Sequence, residues 1–104
     1  MANPPAQTEE ARQAARDKAL VVRRMRADRK ASLKEGSLSL ASLLEEADAD
    51  ALVAKMKVLT VIESLPGVGK VKARRTMAEL GIDETRRLRG LGEHQRTALL
   101  KSLG

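Results

Sequence analysis

The residues best suited to bind a ligand lie in the stretch LPGVGKVKA, residues 65 to 73. Pro66 is predicted to end a helix, because a proline disfavours helical geometry in the residue before it. Gly67 and Gly69 permit backbone angles and close approaches that a side chain would obstruct. A second helix is expected to begin near Lys70, and its first amides lack acceptors within the helix. Such a helix end attracts anions, and a phosphate group is the obvious one.

Two other glycine-loop motifs do not fit this stretch. A Walker loop needs a glycine where Ser64 stands, a serine or threonine where Val71 stands, and a preceding strand. The dinucleotide-binding fingerprint lacks both its third glycine and its preceding strand. The remaining interpretations are a hairpin between two helices that binds phosphate and a glycine turn with a purely structural role.

A second basic cluster lies in TRRLRGLG, residues 85 to 92. Arg86, Arg87 and Arg89 surround Leu88, so three guanidinium groups are expected to project beside a buried anchor. Guanidinium groups pair with phosphate oxygens through two hydrogen bonds, and one can enter a narrow minor groove. The alternative is a basic turn that is simply solvated.

The chain before the hairpin predicts a long basic helix over residues 9 to 36, after a disordered segment over residues 1 to 8. Thr8 is a suitable N-cap and Gly36 a suitable stop. The apolar stripe of this helix is poor, and a short contact patch is expected from Val21, Val22 and Met25. A second set of phosphate contacts is predicted here, with solvation as an equal alternative, at Arg23, Arg24, Arg26, Arg29 and Lys30.

Shorter helices are predicted around this hairpin. Ser39 can cap a helix whose core positions include Leu43 and Leu44, and two further stretches are expected over residues 51 to 56 and 58 to 65. Ala73, Met77 and Leu80 should face inward on the helix after the hairpin. Asp83 is expected to cap a turn through Leu88, and a last helix runs from Glu93 to Leu103. The acidic cluster Glu45, Glu46 and Asp48 suggests solvated carboxylates, because nothing supplies the other ligands of a metal.

Composition and charge limit the classes of function. The 104 residues predict one all-α domain whose core is aliphatic, since Phe, Trp and Tyr are absent. Without cysteine there is no disulfide and no thiolate nucleophile. No apolar run is long enough to span a membrane and no signal peptide is visible, so a soluble cytoplasmic protein is expected.

The net charge of +6 is unevenly distributed. Residues 1 to 36 carry nine basic and five acidic residues, residues 37 to 64 carry two and five, and residues 65 to 104 carry nine and four. Two basic ends therefore flank an acidic middle. This segregation favours a nucleic acid as the partner over a merely solubilising charge.

The stretch VIESLPGVGKVKA, residues 61 to 73, resembles the helix-hairpin-helix motif. It has an apolar residue before Pro-Gly, another between the two glycines, and Ala73 where the helices pack. The resemblance implies a grip on a nucleic-acid backbone that does not depend on base sequence, sometimes with a monovalent cation at the hairpin.

The whole chain resembles the actinobacterial integration host factor family. The resemblance rests on the long basic helix, LPGVGKVKA, and TRRLRGLG followed by QRTALL. It implies a helix-two-turn-helix domain over residues 37 to 104, shared with a small-subunit ribosomal protein and some DNA glycosylases. It also implies a monomeric, nucleoid-associated protein that binds double-stranded DNA with little sequence preference, bends or constrains it, and assists a phage integrase. We expect no small-molecule substrate, no membrane association and no cofactor other than that cation.

The resemblance assigns roles to individual residues. The hairpin role falls on Gly67, Val68, Gly69, Lys70 and Lys72, and the arginine-cluster role falls on Arg86, Arg87 and Arg89. Arg74 and Arg75 are included among the predicted DNA-binding residues, although they match no family position. Contacts to the backbone and the minor groove are expected, because no helix begins with the Asn, Gln and Arg grouping that reads base edges.

Two other functions use the same domain. A ribosomal RNA-binding protein would share the phosphate grip but would normally extend a basic tail beyond the last helix. A glycosylase or lyase would need catalytic groups that Met1, Asp83 and the lone His94 do not supply, and an aromatic ring to stack on an extruded base. The absence of aromatic residues also argues against binding to single strands. The chain is therefore predicted not to be an enzyme.

Overall fold

The computed structural model describes residues 8 to 104, which form an all-helical domain. The first seven residues of the predicted disordered segment lie outside this range, whereas Thr8 is ordered as a helix cap. The helices are α1 (Glu9–Glu35), α2 (Leu40–Ala49), α3 (Ala51–Ala54), α4 (Val58–Glu63), α5 (Gly69–Glu79) and α6 (Glu93–Leu103), with a 3-10 turn at Leu88–Gly90. Among these helices, none is both long and apolar enough to cross a membrane.

Helix α1 begins and ends where the sequence predicts. The Thr8 hydroxyl accepts a hydrogen bond of 3.1 Å from the Ala11 amide, and Gly36 ends the helix in a left-handed conformation. Contact with the domain is confined to the second half of the helix, where Leu33 is buried and Met25 packs against the core. The expected contact at Val21 is wrong, because this residue is 57% exposed.

The core is built from aliphatic side chains of all the other elements. Ala73 is fully buried, which lets α5 pack closely against α4, and Met77 is fully buried one turn further along. Leu80 is half-buried at the edge of the same core. The remaining buried side chains include Leu40, Leu43, Leu44, Val53, Met56, Val58, Val61, Ile62, Leu65, Ile82, Leu88 and Leu99.

Helices α3 and α4 are shorter than the sequence predicts, and the hydrogen bonds explain why. The backbone between them pairs with the arginine cluster instead of continuing a helix: the Leu88 amide donates to the Met56 carbonyl at 2.9 Å, and the Val58 amide donates to the Arg86 carbonyl at 2.9 Å. At the far end of α4, the Leu65 amide reaches only three residues back, to Ile62, just before Pro66. This tighter turn ends the helix at Glu63.

The backbone pairing between residues 56 to 58 and 86 to 88 also shortens the turn that follows α5. Asp83 accepts hydrogen bonds from the amide and the hydroxyl of Thr85, at 2.8 and 2.6 Å, which also lowers the pKa of the Asp83 carboxyl. The predicted turn does not run on to Leu88, because Arg87 lies in an antiparallel bridge with Lys57.

Two ion pairs connect α2 to other helices, one to α1 and one to α6. Arg29 of α1 donates from Nε to the Glu46 carboxylate at 2.9 and 3.1 Å and also from Nη2. Arg96 of α6 binds both carboxylate oxygens of Asp48, at 2.9 and 3.0 Å. Two members of the acidic cluster therefore pair with arginines. No group of three His, Asp or Glu residues in the described part of the chain is arranged to hold a metal ion.

Candidate nucleic-acid interface

The hairpin between α4 and α5 has the backbone geometry that its glycines suggested. Gly67 and Gly69 have φ angles of +75° and +67°, a left-handed conformation in which most L-residues are strained. A Cβ atom added at Gly69 would meet no atom within 4 Å. Within the protein, glycine is therefore favoured here by the backbone angle and not by crowding, and the space beside Gly69 is open to a ligand.

The first turn of α5 presents its amides without a side-chain cap. Val68 occupies the N-cap position, no side chain there accepts a hydrogen bond, and the first turn contains Lys70 but no acid. The first amides of a helix have no partner within the helix, and together they carry a partial positive charge. An anion bound at this end of α5 would accept hydrogen bonds from these amides and would be attracted by their partial positive charge.

Helix α1 forms the opposite side of an open groove at the hairpin. The groove has a volume of about 770 Å³ and runs between residues 63 to 70 and the second half of α1. Lys30 and Lys34 line it from α1, and Lys70 lines it from α5. The long helix thus adds two ammonium groups to a site that sequence reasoning had assigned to the hairpin alone.

The remaining predicted residues of α5 lie outside this groove. Lys72, Arg74 and Arg75 are all exposed. Arg74 Nε lies 3.3 Å from a carboxylate oxygen of Glu84. Pairs this exposed contribute little to stability, so Arg74 can exchange its partner for a phosphate at small cost.

The arginine cluster differs from the sequence expectation of three free guanidinium groups. Arg86 and Arg87 are half-buried and donate to backbone carbonyls: Arg86 Nη1 to Gly90 at 2.7 Å and Arg87 Nη1 to Lys55 at 2.6 Å. Arg89 alone is exposed. The first two arginines therefore help to hold the turn, which the pattern of charges could not reveal, although each guanidinium has further N–H donors.

The basic residues predicted on α1 divide into three groups. Arg23 and Arg24 are exposed. Arg29 faces α2, where hydrogen bonds from its Nε and Nη2 to Glu46 raise its pKa. Arg26 and Lys30 line a second cavity, between α1 and the backbone that joins α3 to α4.

Three lysines and one threonine at these cavities were not predicted from the sequence. Lys34 is four residues after Lys30, a spacing that places both on one helix face and could have revealed it. Lys55, Lys57 and Thr60 belong to the acidic middle of the chain, where the net charge gave no such signal.

Comparison with known proteins shows which family and which proteins the chain is similar to. Residues 33–103 match the domain model of the S13-like H2TH domain. The chain is 51% identical over 100 residues to the integration host factor of Mycobacterium tuberculosis, covering 96% of this chain and 95% of that protein. It is 46% identical over 104 residues to the integration host factor of Streptomyces coelicolor, covering 100% of this chain and 96% of that protein. This chain belongs to the integration host factor family.

A member of the integration host factor family has been solved with a nucleic acid. The structure of sIHF bound to an 8-bp palindromic DNA matches this chain with a TM-score of 0.82 and 44% identity, covering 85% of this chain and 99% of that one. The resemblance to integration host factor, the all-α class and the helix-two-turn-helix domain are therefore confirmed.

Proposed function

We propose that this protein binds duplex DNA through its sugar-phosphate backbone, with little preference for base sequence. The observation that carries the proposal is the groove at the hairpin, where an uncapped helix end faces Lys30 and Lys34 of α1. Backbone amides and lysine ammonium groups recognise phosphates, which are the same at every base pair. The DNA-bound member of the family supports duplex DNA as the partner.

Further contacts follow from the exposed basic side chains. Arg89 is the arginine of its cluster that extends into solvent, and we assign it to the minor groove, where a guanidinium responds to groove width. Lys72, Arg74 and Arg75 on α5 and Arg23 and Arg24 on α1 supply phosphate contacts on either side of the hairpin. Arg86 and Arg87 contribute through the donors that the turn leaves unused.

A single bound protomer is expected to deform the DNA. Helix α1 and the hairpin line the groove from two sides, so a strand held between them is contacted along more than one direction. We infer that the protein bends or constrains DNA as a monomer in the nucleoid, and that it assists site-specific recombination by a phage integrase. The name shared by its relatives supports this last role. No catalytic role is proposed, and a monovalent cation at the hairpin carbonyls stays a prediction.

A ribosomal RNA-binding role is the second candidate, because residues 33–103 match the S13-like domain. Gel-shift titrations of duplexes of unrelated sequence, single-stranded DNA and structured RNA, all at one ionic strength, distinguish the two. We expect the unrelated duplexes to bind alike and more tightly than the other ligands. Tighter binding to RNA would favour the ribosomal role, and no binding to duplex would refute the proposal.

The salt dependence tests the phosphate mechanism. If about six phosphates are neutralised, log K should fall against log salt with a slope near −5. The double variant Lys34→Gln with Lys70→Gln should lower the affinity and reduce the magnitude of this slope. The double variant Lys18→Gln with Lys101→Gln removes the same charge outside the groove and serves as the control. A slope near zero would contradict the mechanism. End-to-end fluorescence transfer on a bound duplex measures the bend.

A further inference from the structure

The second cavity on α1 gathers five cationic side chains. It has a volume of about 280 Å³ and lies between the second half of α1 and the backbone that joins α3 to α4. Its polar lining consists of Arg26, Lys30, Lys55, Lys57, Thr60 and Arg87. No carboxylate of the described chain lines it. Like charges collected in a concave site repel one another, so this arrangement is suited to a bound anion.

Arg26 carries a donor that the protein leaves unused. Its Nε is the one buried side-chain nitrogen or oxygen, among the residues described, for which no hydrogen-bond partner is found. Buried N–H groups are nearly always paired in folded proteins, so an unpaired one requires an explanation. Because this nitrogen is itself buried, a ligand acceptor reaches it only if the Arg26 side chain shifts on binding.

Arg87 is held in place before any ligand arrives. Its Nη1 donates to the Lys55 carbonyl at 2.6 Å, and its backbone pairs with that of Lys57. Hydrogen bonds of the protein itself thereby hold the Arg87 guanidinium at Lys55 and the backbone on either side of Lys57. Such preorganisation lowers the entropy cost of binding. Thr60 adds a hydroxyl on the first turns of α4, suited to hydrogen-bond a phosphate oxygen.

Lys30 links this cavity to the hairpin. Its side chain lines the groove of the hairpin and also lines the cavity that contains Arg26 and Arg87. A nucleic-acid strand held at the hairpin can therefore continue along α1 from one site to the other.

We propose that the cavity formed by Arg26, Lys30, Lys55, Lys57, Thr60 and Arg87 is a second phosphate-binding site, which receives a backbone phosphate of the same DNA molecule that the hairpin holds. This inference rests on the proposed function. It makes the hairpin and the second half of α1 one continuous DNA face with Lys30 shared between its two parts, and it gives roles to Lys57 and Thr60, which lie in the acidic segment of the chain.

Single variants of the full chain test the site. Lys57→Gln should weaken duplex binding and reduce the magnitude of the salt slope by about one, because each phosphate contact contributes about 0.9. Thr60→Val should weaken binding with the slope unchanged, and Arg26→Lys should do the same although it retains the charge. Lys101→Gln, an exposed lysine of α6, is the control for loss of one charge. Circular dichroism melting of each variant verifies that it folds.

Backbone amide shifts identify the ligand directly. Titrating the wild-type protein with duplex DNA should shift the amides of Lys57 and Thr60 together with those of Gly69 and Lys70. Titration with inorganic phosphate, and separately with a mononucleotide, distinguishes a free phosphate ligand from a DNA phosphate. If free phosphate shifts Lys57 and Thr60 but the duplex does not, the assignment to DNA is overturned.

The outcomes separate this inference from the proposed function. If the Lys57, Thr60 and Arg26 variants bind duplex as Lys101→Gln does, while Lys34→Gln with Lys70→Gln binds weakly, the second site is refuted and the hairpin function stands. If wild-type protein does not bind duplex at all, the proposed function itself has failed.

Discussion

Arg29 of α1 and Glu46 of α2 form an ion pair in which the arginine Nε donates to both carboxylate oxygens, at 2.9 and 3.1 Å. Both side chains are about 30% exposed, at 29% and 30%. The pair lies where the helix that carries Arg26, Lys30 and Lys34 meets the domain, so it fixes the position of that helix relative to the hairpin. Arg29 holds α1 in place through Nε and Nη2, and its predicted phosphate contact would have to use the remaining donors of the guanidinium.

Arg29→Ala should therefore destabilise the fold and also weaken DNA binding. The loss of charged hydrogen bonds in a half-buried position should cost about 1–2 kcal/mol of unfolding free energy. Arg12→Ala breaks an exposed pair with Glu9 on the same helix and should change stability by less than about 0.5 kcal/mol. Urea denaturation measures both variants. Equal stability of the two would mean that the Arg29 pair does not anchor α1.

Stability should fall in acid because of Asp48. Hydrogen bonds from Arg96 lower the pKa of the Asp48 carboxyl in the folded protein. A group whose pKa is lowered by folding contributes stability above its unfolded pKa, about 3.9, and loses it as the pH falls through the folded pKa. The pKa of the Asp83 carboxyl is also lowered in the folded protein, so this group adds to the loss of stability in acid. Asp48→Asn should lower stability at neutral pH and flatten the acid limb, measured by the thermal midpoint between neutral pH and acid. An acid limb identical to that of the wild type would exclude this role.

Two substitutions at Gly69 separate backbone geometry from the approach of a ligand. Gly69→Val places a β-branched residue at a φ angle of +67°, with a strain of about 1–2 kcal/mol, and should lower both stability and DNA affinity. Gly69→Asn tolerates this angle much better and should retain most of the stability. Its side chain nevertheless occupies the open space beside the hairpin, so it should still weaken binding. Thermal melting and duplex titration measure the two effects. Wild-type affinity of Gly69→Asn would show that glycine is required only for the backbone angle.

The arginines of TRRLRGLG should differ from one another when each is replaced by alanine. Arg89→Ala should lower DNA affinity with little change in stability, because this side chain is exposed. Arg87→Ala removes a hydrogen bond to the Lys55 carbonyl and should cost about 1–2 kcal/mol of stability in addition to its effect on affinity. Denaturation and binding are measured on both proteins. If both variants are as stable as the wild type, the hydrogen bond of Arg87 does not support the turn.

The hairpin and the bounds of the long helix could be predicted from the sequence, because they depend on local chemistry. The cap at Thr8, the stop at Gly36 and the apolar spacing of α2 act within a few residues, and so do Pro66 and the glycines after it. The positions of Gly67, Gly69 and Ala73 matched a known motif, and the all-α class follows from an aliphatic composition without aromatic residues.

The cations that are available for a ligand could not be predicted in this way, because their availability depends on tertiary contacts. Local sequence cannot show that Arg29 meets Glu46 or that Arg87 meets the Lys55 carbonyl, since these partners are 17 and 32 residues apart. For the same reason it assigned no role to Lys57, whose backbone pairs with that of Arg87 and ends the helical stretch early. Charge along the chain fixes the total attraction for a polyanion. The distribution of that charge between internal ion pairs and open cavities depends on contacts that exist only once α1 has packed against the rest of the domain.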